Sequence, residues 1–208
     1  NTLHSVDFQS VNYTEPYYFF IPQNEKGKSE YEKGLKIDEF IKVYSAGVVT
    51  ANDSTLVNKN RHILLDNVSN YYNINPSIDL VNQIAYRPFD YQYIYYDVKR
   101  VERAREKVMR HLYGKDNFAL VVSRQCVSDW RYIFISDTIA EFNLTGTAGR
   151  FGSGYVFPLY LYPEDGSFDT ERRPNLDATI WAQINAAIGK PASPEDIFDY
   201  IYGVLHSP

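Results

Sequence analysis

The sequence has little sulfur and few histidines, which narrows the chemistry available to it. One cysteine, Cys126, stands among 208 residues, so no internal disulfide can form and a reducing compartment is expected. The four histidines have no spacing, with one another or with Cys126, that is typical of a metal site. We therefore predict neither a disulfide framework nor a metal centre in this chain.

Long apolar segments are also missing. No run approaches the roughly 20 apolar residues that a membrane-spanning helix needs. No segment resembles a secretory signal peptide, so the N-glycosylation sequons in the chain lack the context that would give them meaning. The sequence therefore predicts a soluble, cytoplasmic protein with no membrane partner.

Motifs of the common enzyme classes are absent as well. There is no phosphate-loop signature, and the glycine-rich "GTAGRFGSG" lacks the required lysine. No serine has the G-x-S-x-G setting of a hydrolase nucleophile. We predict no catalytic residue and no cofactor in this chain. Because it opens at Asn1 without a methionine and stops inside an expected helix, we expect it to be excised from a longer protein.

A metal-dependent nuclease is the enzymatic alternative. Asp90, followed by Asp97 and Lys99, resembles the acid and acid-x-lysine core of such enzymes. That chemistry needs both carboxylates on one magnesium ion and the lysine near the attacked phosphate. Along a single strand Asp90 and Asp97 would point to opposite faces, because side chains alternate. The pattern therefore favours a non-catalytic interpretation.

What the chain has in quantity is aromatic side chains, with 19 Tyr and 12 Phe. Tyrosine suits sheet faces and wet interfaces, because it combines apolar area with a polar tip. The segments "IAYRPFDYQYIYY", "NFALVVSR", "WRYIFIS" and "YVFPLYLYP" have the alternating or continuous apolar pattern of strands. The predicted fold class is α+β, a mixed and largely antiparallel curved sheet with about four packing helices.

Capping residues and apolar periodicity locate the four helices. Segment 48–60 is interpreted as a polar loop, and segment 61–78 as a short strand with turns. The predicted helices are residues 36–45 ending before Gly47, residues 98–113 ending at Gly114, a segment capped by Asn175, and a last segment capped by Ser193.

Positive charge is concentrated around the second of these helices. Residues 86–125 carry nine basic and five acidic side chains, although the whole chain has a net charge of −5. At about 100° per residue, four cations share one helix face while apolar residues occupy the other. A solvated face is the simple interpretation, and a face that binds phosphates is the alternative. The four cations are Arg100, Arg103, Lys107 and Arg110.

Other arginines near predicted strand ends favour the phosphate-binding alternative. Loops and strand ends are where binding residues concentrate. Arginine and glutamine read guanine and adenine edges through paired hydrogen bonds. The candidates for base or nearby contacts are Arg87, Arg124, Gln125 and Arg131.

Several segments occur in an order that resembles a known family. They are "YRPFDYQYIYYD", "REKVMRHL", "VVSRQ", "YVFPLYLYP", "RRPNLD" and "SPEDIFDYIYGVLHSP". Together they resemble the C-terminal specificity region of type ISP restriction-modification enzymes and of related adenine-specific DNA methyltransferase/restriction enzymes. "PYYFFIPQ" with "YSAGVVTAND" is similar to the segment that joins the methyltransferase domain to that region.

This resemblance implies a module that recognises a DNA sequence and positions duplex DNA for adenine methylation, and cleavage, by upstream domains. It implies that residues 1–60 join an upstream methyltransferase domain and pack on the rest, and that residues 61–208 are the target-recognition domain. The implied partners are double-stranded DNA and that upstream domain, which is expected to bind S-adenosylmethionine. In the family an arginine often precedes the aspartate of the loop that matches residues 50–53. Asn52 stands there, so the resemblance does not extend to a phosphate contact at that position.

Overall fold

The computed structural model describes residues 32–123, 133–146, 154–164, 166–168 and 170–206. The chain forms two units, Asn1–Ile37 and Asp38–Pro208. The fold described below is that of the second unit, together with Ile37, which begins the first helix. The division at residue 60 between a joining segment and a recognition domain stays a prediction. None of the helices in the described residues is long and apolar enough to cross a membrane.

Short elements dominate the described part of the chain. The α-helices are α1 (Ile37–Phe40), α2 (Asp53–Leu56), α3 (Arg61–Tyr72), α4 (Glu106–Met109), α5 (Ala178–Ile188) and α6 (Pro194–Leu205), and a 3₁₀ turn covers Ile78–Leu80. The strands are β1 (Ser45–Ala46), β2 (Val57–Asn58), β3 (Val81–Arg87), β4 (Asp90–Tyr95), β5 (Ala119–Ser123), β6 (Ile133–Ser136), β7 (Ile139–Ala140), β8 (Gly154–Pro158), β9 (Tyr160–Leu161) and β10 (Arg173–Pro174).

The strands form two four-stranded sheets and one two-stranded ribbon. The first sheet has the order β1-β8-β5-β6 and is antiparallel throughout. The second has the order β2-β4-β3-β7, in which only the β3–β7 pair is parallel. The predicted class, α+β with largely antiparallel pairing, is confirmed. Two sheets replace the single curved sheet that the sequence suggested, and six α-helices, rather than four, occur in the described residues.

Strand β5 lies at the centre of the first sheet. All five of its residues are buried, and its central Val121 pairs with the fully buried Val156 of β8. A strand with neighbours on both sides and covered faces reads as a continuous apolar run. The interpretation of "NFALVVSR" as a buried strand is therefore confirmed.

The tyrosine-rich segment is a hairpin, where the sequence suggested one strand. Strands β3 and β4 pair in antiparallel register from Val81 opposite Tyr95 to Arg87 opposite Asp90, with an irregularity before Arg87. Two residues, Pro88 and Phe89, make the connection. Alternation continues through both strands, because both line the same sheet, so the pattern alone did not reveal the turn.

The helix predicted for residues 98–113 is wrong. Only Glu106–Met109 is α-helical. Arg103 instead forms an antiparallel bridge with Val49, and the backbone of Arg105 is left-handed with φ 56°. A residue whose amide is hydrogen-bonded to a distant segment of the chain cannot also continue a helix, so tertiary pairing overrides the helical periodicity.

The helix predicted for residues 36–45 is also largely wrong. The observed helix ends at Phe40. Ser45 and Ala46 form strand β1, which pairs with β8. Gly47 is not a helix terminator. A Cβ atom at this position would lie 2.6 Å from the backbone carbonyl of Glu141, so the glycine permits close approach of two chain segments.

Residues 48–78 contain more helix than the sequence suggested. The supposed strand after residue 60 is helix α3, which Asn60 caps by accepting hydrogen bonds from the amides of His62 and Ile63. Leu64 and Val68, one helical turn apart, are its buried residues. The supposed polar loop before it contains α2 and β2.

The two C-terminal helices are confirmed, with one correction. Ser193 and Asp196 form the reciprocal capping box of α6. Asp177, and not Asn175, caps α5. Asn175 is 3% exposed and donates through its amide to the carbonyls of Val43, at 2.7 Å, and Pro158, at 2.9 Å. It therefore joins two backbone segments and is not a helix cap.

Candidate nucleic-acid interface

A cleft of about 390 Å³ brings together three cations. Lys107 and Arg110 come from α4 and the turn that follows it, and Arg173 comes from β10. The first two were predicted site residues, whereas Arg173 was missed. Sequence reasoning had no signal for Arg173, because it is 63 positions from Arg110 and reaches the cleft through the pairing of β10 with β9.

The acids on the cleft leave part of this positive charge available. Arg110 Nη2 lies 4.0 Å from Glu164 Oε1, and its Nη1 donates to the carbonyl of Pro163 at 3.4 Å. Within the described ranges, Lys107 and Arg173 have no carboxylate within the 4.0 Å of an ion pair. Two carboxylates, Glu164 and Glu171, line the cleft beside the three cations, and of these cations only Arg110 has a described carboxylate at ion-pair distance.

His111 lines the cleft with a buried imidazole. It is 2% exposed, and its Nδ1 accepts a hydrogen bond from the amide of Tyr162 at 2.9 Å. Burial lowers the pKa of His111 to about 4, and the positive charges of Arg110, Arg173 and Lys115 act in the same direction. The imidazole is therefore neutral at physiological pH, chiefly because it is buried.

The other two cations of the predicted stripe lie away from this arrangement. Arg100 forms an ion pair with Asp97, and its guanidinium lies 5.0 Å above the ring of Tyr72 on α3. Arg103 is exposed, and its Nε lies 3.6 Å from Glu102. The prediction that the four cations share one helix face is therefore wrong. Contacts of Arg100 and Arg103 with phosphates stay a prediction.

Arg87 ends β3 and is held from two sides. Its Nη1 donates to Glu141 Oε2 at 2.7 Å, and its guanidinium lies 4.1 Å from the ring centre of Tyr86. Burial raises the pKa of Glu141, while hydrogen bonds from Asn143 and the charge of Arg87 oppose that rise. The arginine is thus oriented by a buried carboxylate while 40% of its side chain stays exposed.

A hydrogen-bond network fixes the loop 50–53 beside this arginine. The Tyr86 hydroxyl donates to Asp53 Oδ2 at 2.6 Å, and the Thr50 hydroxyl donates to the other carboxylate oxygen. Burial and Asp53 together raise the pKa of Tyr86 to about 12. The Asn52 side chain accepts a hydrogen bond from the Ser54 hydroxyl at 3.2 Å. The sequence did not predict the network, because Asp53 and Tyr86 lie 33 positions apart.

Three predicted site residues lie outside the described residues. They are Arg124, Gln125 and Arg131. Their contacts with bases stay a prediction.

The nuclease alternative is not supported by the placement of its carboxylates. Asp90 begins β4 and Asp97 lies two residues beyond its end. At roughly 3.3 Å per residue, the strand separates them by about 20 Å, whereas one magnesium ion needs ligands at about 2 Å. Asp90 accepts from Gln92 at 2.8 Å, and Asp97 pairs with Arg100. Both carboxylates therefore have structural partners.

Comparison with protein families gives a match over most of the chain. The family model of the Type ISP C-terminal specificity domain matches residues 73–208. No curated protein sequence matches the chain.

Solved structures share the fold. A cryoEM structure of a DrdV–DNA complex aligns with a TM-score of 0.78 and 18% identity, over 100% of this chain and 25% of that chain. A nuclease-deletion mutant of the Type ISP restriction-modification enzyme LlaGI, in complex with a DNA substrate mimic, aligns with a TM-score of 0.69 and 17% identity, over 99% of this chain and 22% of that one. The ATP-dependent Type ISP enzyme LlaBIII bound to DNA aligns with a TM-score of 0.61 and 19% identity, over 81% of this chain and 13% of that one. The chain thus spans a quarter or less of these proteins.

Proposed function

Since the chain belongs to the family of Type ISP C-terminal specificity domains, we propose that it recognises the target sequence of a bacterial, cytoplasmic restriction-modification enzyme in double-stranded DNA. The observation that carries this proposal is the family match over residues 73–208. An upstream methyltransferase domain of the same protein would bind S-adenosylmethionine and methylate adenine, and upstream domains would carry out any cleavage. The module described here would hold the duplex in register for that chemistry.

The cleft cations suit the positioning part of this task. Contacts with phosphates fix the register and orientation of a protein on the duplex but carry no sequence information directly. Lys107, Arg110 and Arg173 present positive charge from two chain segments at one place. We assign the contact with the DNA backbone to these three residues.

Arg87 suits the reading part of the task. A guanidinium reads the O6 and N7 atoms of guanine with two parallel hydrogen bonds. Glu141 and the ring of Tyr86 orient the Arg87 guanidinium before DNA arrives, which lowers the conformational entropy lost on binding. The Tyr86–Asp53 hydrogen bond in turn holds Tyr86 in place. Arg87 is therefore our candidate base contact among the described residues.

A domain exchange tests the proposal. The full-length protein and a variant in which residues 73–208 are replaced by the matching region of LlaGI are each allowed to select duplexes from a random pool. We expect the enriched sequence to change with the exchanged region. Enrichment of the same sequence by both proteins would place target recognition elsewhere, and the absence of any enriched sequence with the unmodified protein would refute the proposal outright.

A further inference from the structure

The tip of the β3–β4 hairpin carries an almost fully exposed phenylalanine. Phe89 is 94% exposed, and its backbone is left-handed with φ 62°. Bulky residues, unlike glycine, rarely adopt this conformation, and they keep it only where the surrounding structure enforces it. An apolar ring in water also gives up the free energy of burial. Both features work against folding, and strained residues of this kind cluster at functional sites.

The hairpin holds this ring rigidly away from the core. Ile84 and Ile94, on the two paired strands, are fully buried, which anchors the base of the hairpin. Pro88 restricts the backbone directly before Phe89. The register irregularity before Arg87 adds local twist at the tip, as bulges do where they re-aim a side chain. The ring is therefore presented on a stiff two-residue turn.

Cations, two of them paired with carboxylates, lie near the hairpin that carries the ring. Arg87 precedes the turn by one residue, and Lys59 Nζ lies 3.3 Å from Asp90, which follows the turn. Lys59 comes next to the hairpin because β2 pairs with β4, and 73% of its side chain is exposed. Arg61, at the start of α3, lies over the ring of Tyr93 on β4 at 4.4 Å. An apolar tip flanked by Lys59 and Arg87 suits duplex DNA, in which the stacked base faces are apolar and the backbones on either side carry phosphates.

We propose, on the basis of the proposed function, that Phe89 is a wedge that inserts between two neighbouring base pairs of the bound duplex and unstacks them. Architectural DNA-binding proteins use apolar side chains in this way, and the cost of unstacking is offset by the closer contact of the bent duplex with the protein. Lys59, which pairs with Asp90 beside the turn, and Arg87, the candidate base contact, flank the wedge. Such a wedge gives selectivity for flexible base steps that no side chain contacts through hydrogen bonds.

DNA fits this tip better than a protein surface does. The core of a protein–protein interface is depleted of charged residues. Here the two residues that border the turn, Arg87 and Asp90, are both charged, and Asp90 separates Phe89 from the half-exposed Tyr91. An exposed ring between charged side chains suits insertion into a base step.

Fluorescence of 2-aminopurine tests the wedge in the full-length protein. A duplex selected by this protein from a random pool is synthesised with 2-aminopurine at successive positions, and fluorescence rises where a base is unstacked. We expect a rise at one step with the unmodified protein and its loss with Phe89→Ala, together with a roughly 5- to 150-fold weaker affinity for the duplex. Phe89→Tyr, which keeps the ring, should retain the rise.

Phe168 provides a matched control, because it is another phenylalanine with a fully exposed side chain. Phe168→Ala should leave the fluorescence rise unchanged, and an equal loss with this variant would overturn the wedge. A fluorescence rise that persists in Phe89→Ala would also overturn the wedge. If that variant also destabilises the full-length protein, Phe89 would be assigned to a contact within the protein. Failure of the unmodified protein to select any duplex would refute the proposed function, whereas selection that survives Phe89→Ala with full affinity would refute the wedge alone.

Discussion

Val49 and Arg103 exchange both of their backbone hydrogen bonds. The amide of Arg103 donates to the Val49 carbonyl at 2.9 Å, and the amide of Val49 donates to the Arg103 carbonyl at 3.2 Å. This bridge ties the basic segment to the residues that lead into the loop 50–53. It interrupts the helical path of the segment, so Lys107 and Arg110 line the cleft while Arg100 turns towards Tyr72.

The cleft cations should govern the salt dependence of DNA binding. Each phosphate contact contributes about −0.9 to the slope of log affinity against log salt on duplex DNA. Replacing Lys107, Arg110 and Arg173 together by Gln should therefore flatten the slope by roughly 2 to 3. The loss of affinity should be similar for selected and random duplexes, because phosphate contacts do not specify sequence. Affinity of the full-length protein is measured across a salt series.

Two further variants serve as a control and as an extension of this experiment. Lys190→Gln removes an exposed charge just after α5 and should leave the slope unchanged. Adding Arg100→Gln and Arg103→Gln to the triple variant tests the original sequence prediction, since two more phosphate contacts would flatten the slope by roughly 2 more. A triple variant with an unchanged slope would remove the cleft from the DNA-binding surface.

Gly47 should tolerate no side chain. A Cβ atom would lie 2.6 Å from both the carbonyl carbon and the oxygen of Glu141, and backbone atoms cannot move aside cheaply. We expect Gly47→Ala to lower the free energy of unfolding by roughly 3 kcal/mol. Gly203→Ala is the matched variant, because Gly203 lies within α6 with open space around its Cβ position. It should raise the free energy of unfolding by about 0.5–1 kcal/mol. Urea unfolding measures both, and equal effects would contradict the packing argument.

Acid should destabilise the domain through His111. The folded-state pKa of about 4 lies below the ordinary value of 6.5, so folding favours the neutral imidazole. Its contribution to stability is therefore complete above pH 6.5 and is lost as the pH falls towards 4. His111→Gln keeps an acceptor for the Tyr162 amide without a titrating group, and it should flatten the dependence of stability on pH in this range. Denaturant midpoints measured at successive pH values decide this, and parallel curves for the two proteins would refute it.

Phe89 should lower the free energy of unfolding of the domain. Asparagine adopts left-handed backbone conformations more readily than phenylalanine does, because its side chain is short and polar. We therefore expect Phe89→Asn to raise the free energy of unfolding by about 1 kcal/mol. Phe168→Asn replaces a ring that is also exposed but whose backbone is not left-handed, and it should change stability little. Thermal unfolding compares them, and a fall in stability with Phe89→Asn would show that the ring makes a stabilising contact.

The elements predicted well are those whose signals are local. Ser193, Pro194 and Asp196 lie within four positions, and they start α6 as the sequence predicts. The five buried residues of β5 are contiguous, and the strand is where the apolar run places it. The ordered set of segments also identified the family, because order along the chain survives when single contacts change.

The remaining features depend on which distant segments pair, and a single sequence carries no direct record of that. The periodicity of residues 98–113 is helical, yet the bridge between Arg103 and Val49 decides their path, because a backbone amide has one hydrogen to donate. Arg173 joins Arg110 only through the β9–β10 ribbon. Composition and local pattern thus determined the fold class and the presence of a basic segment, and the family was identified by the resemblance of the ordered segments. Hydrogen bonds between distant segments decided which cations lie together, because those bonds fix the backbone path and thereby the direction in which each side chain points.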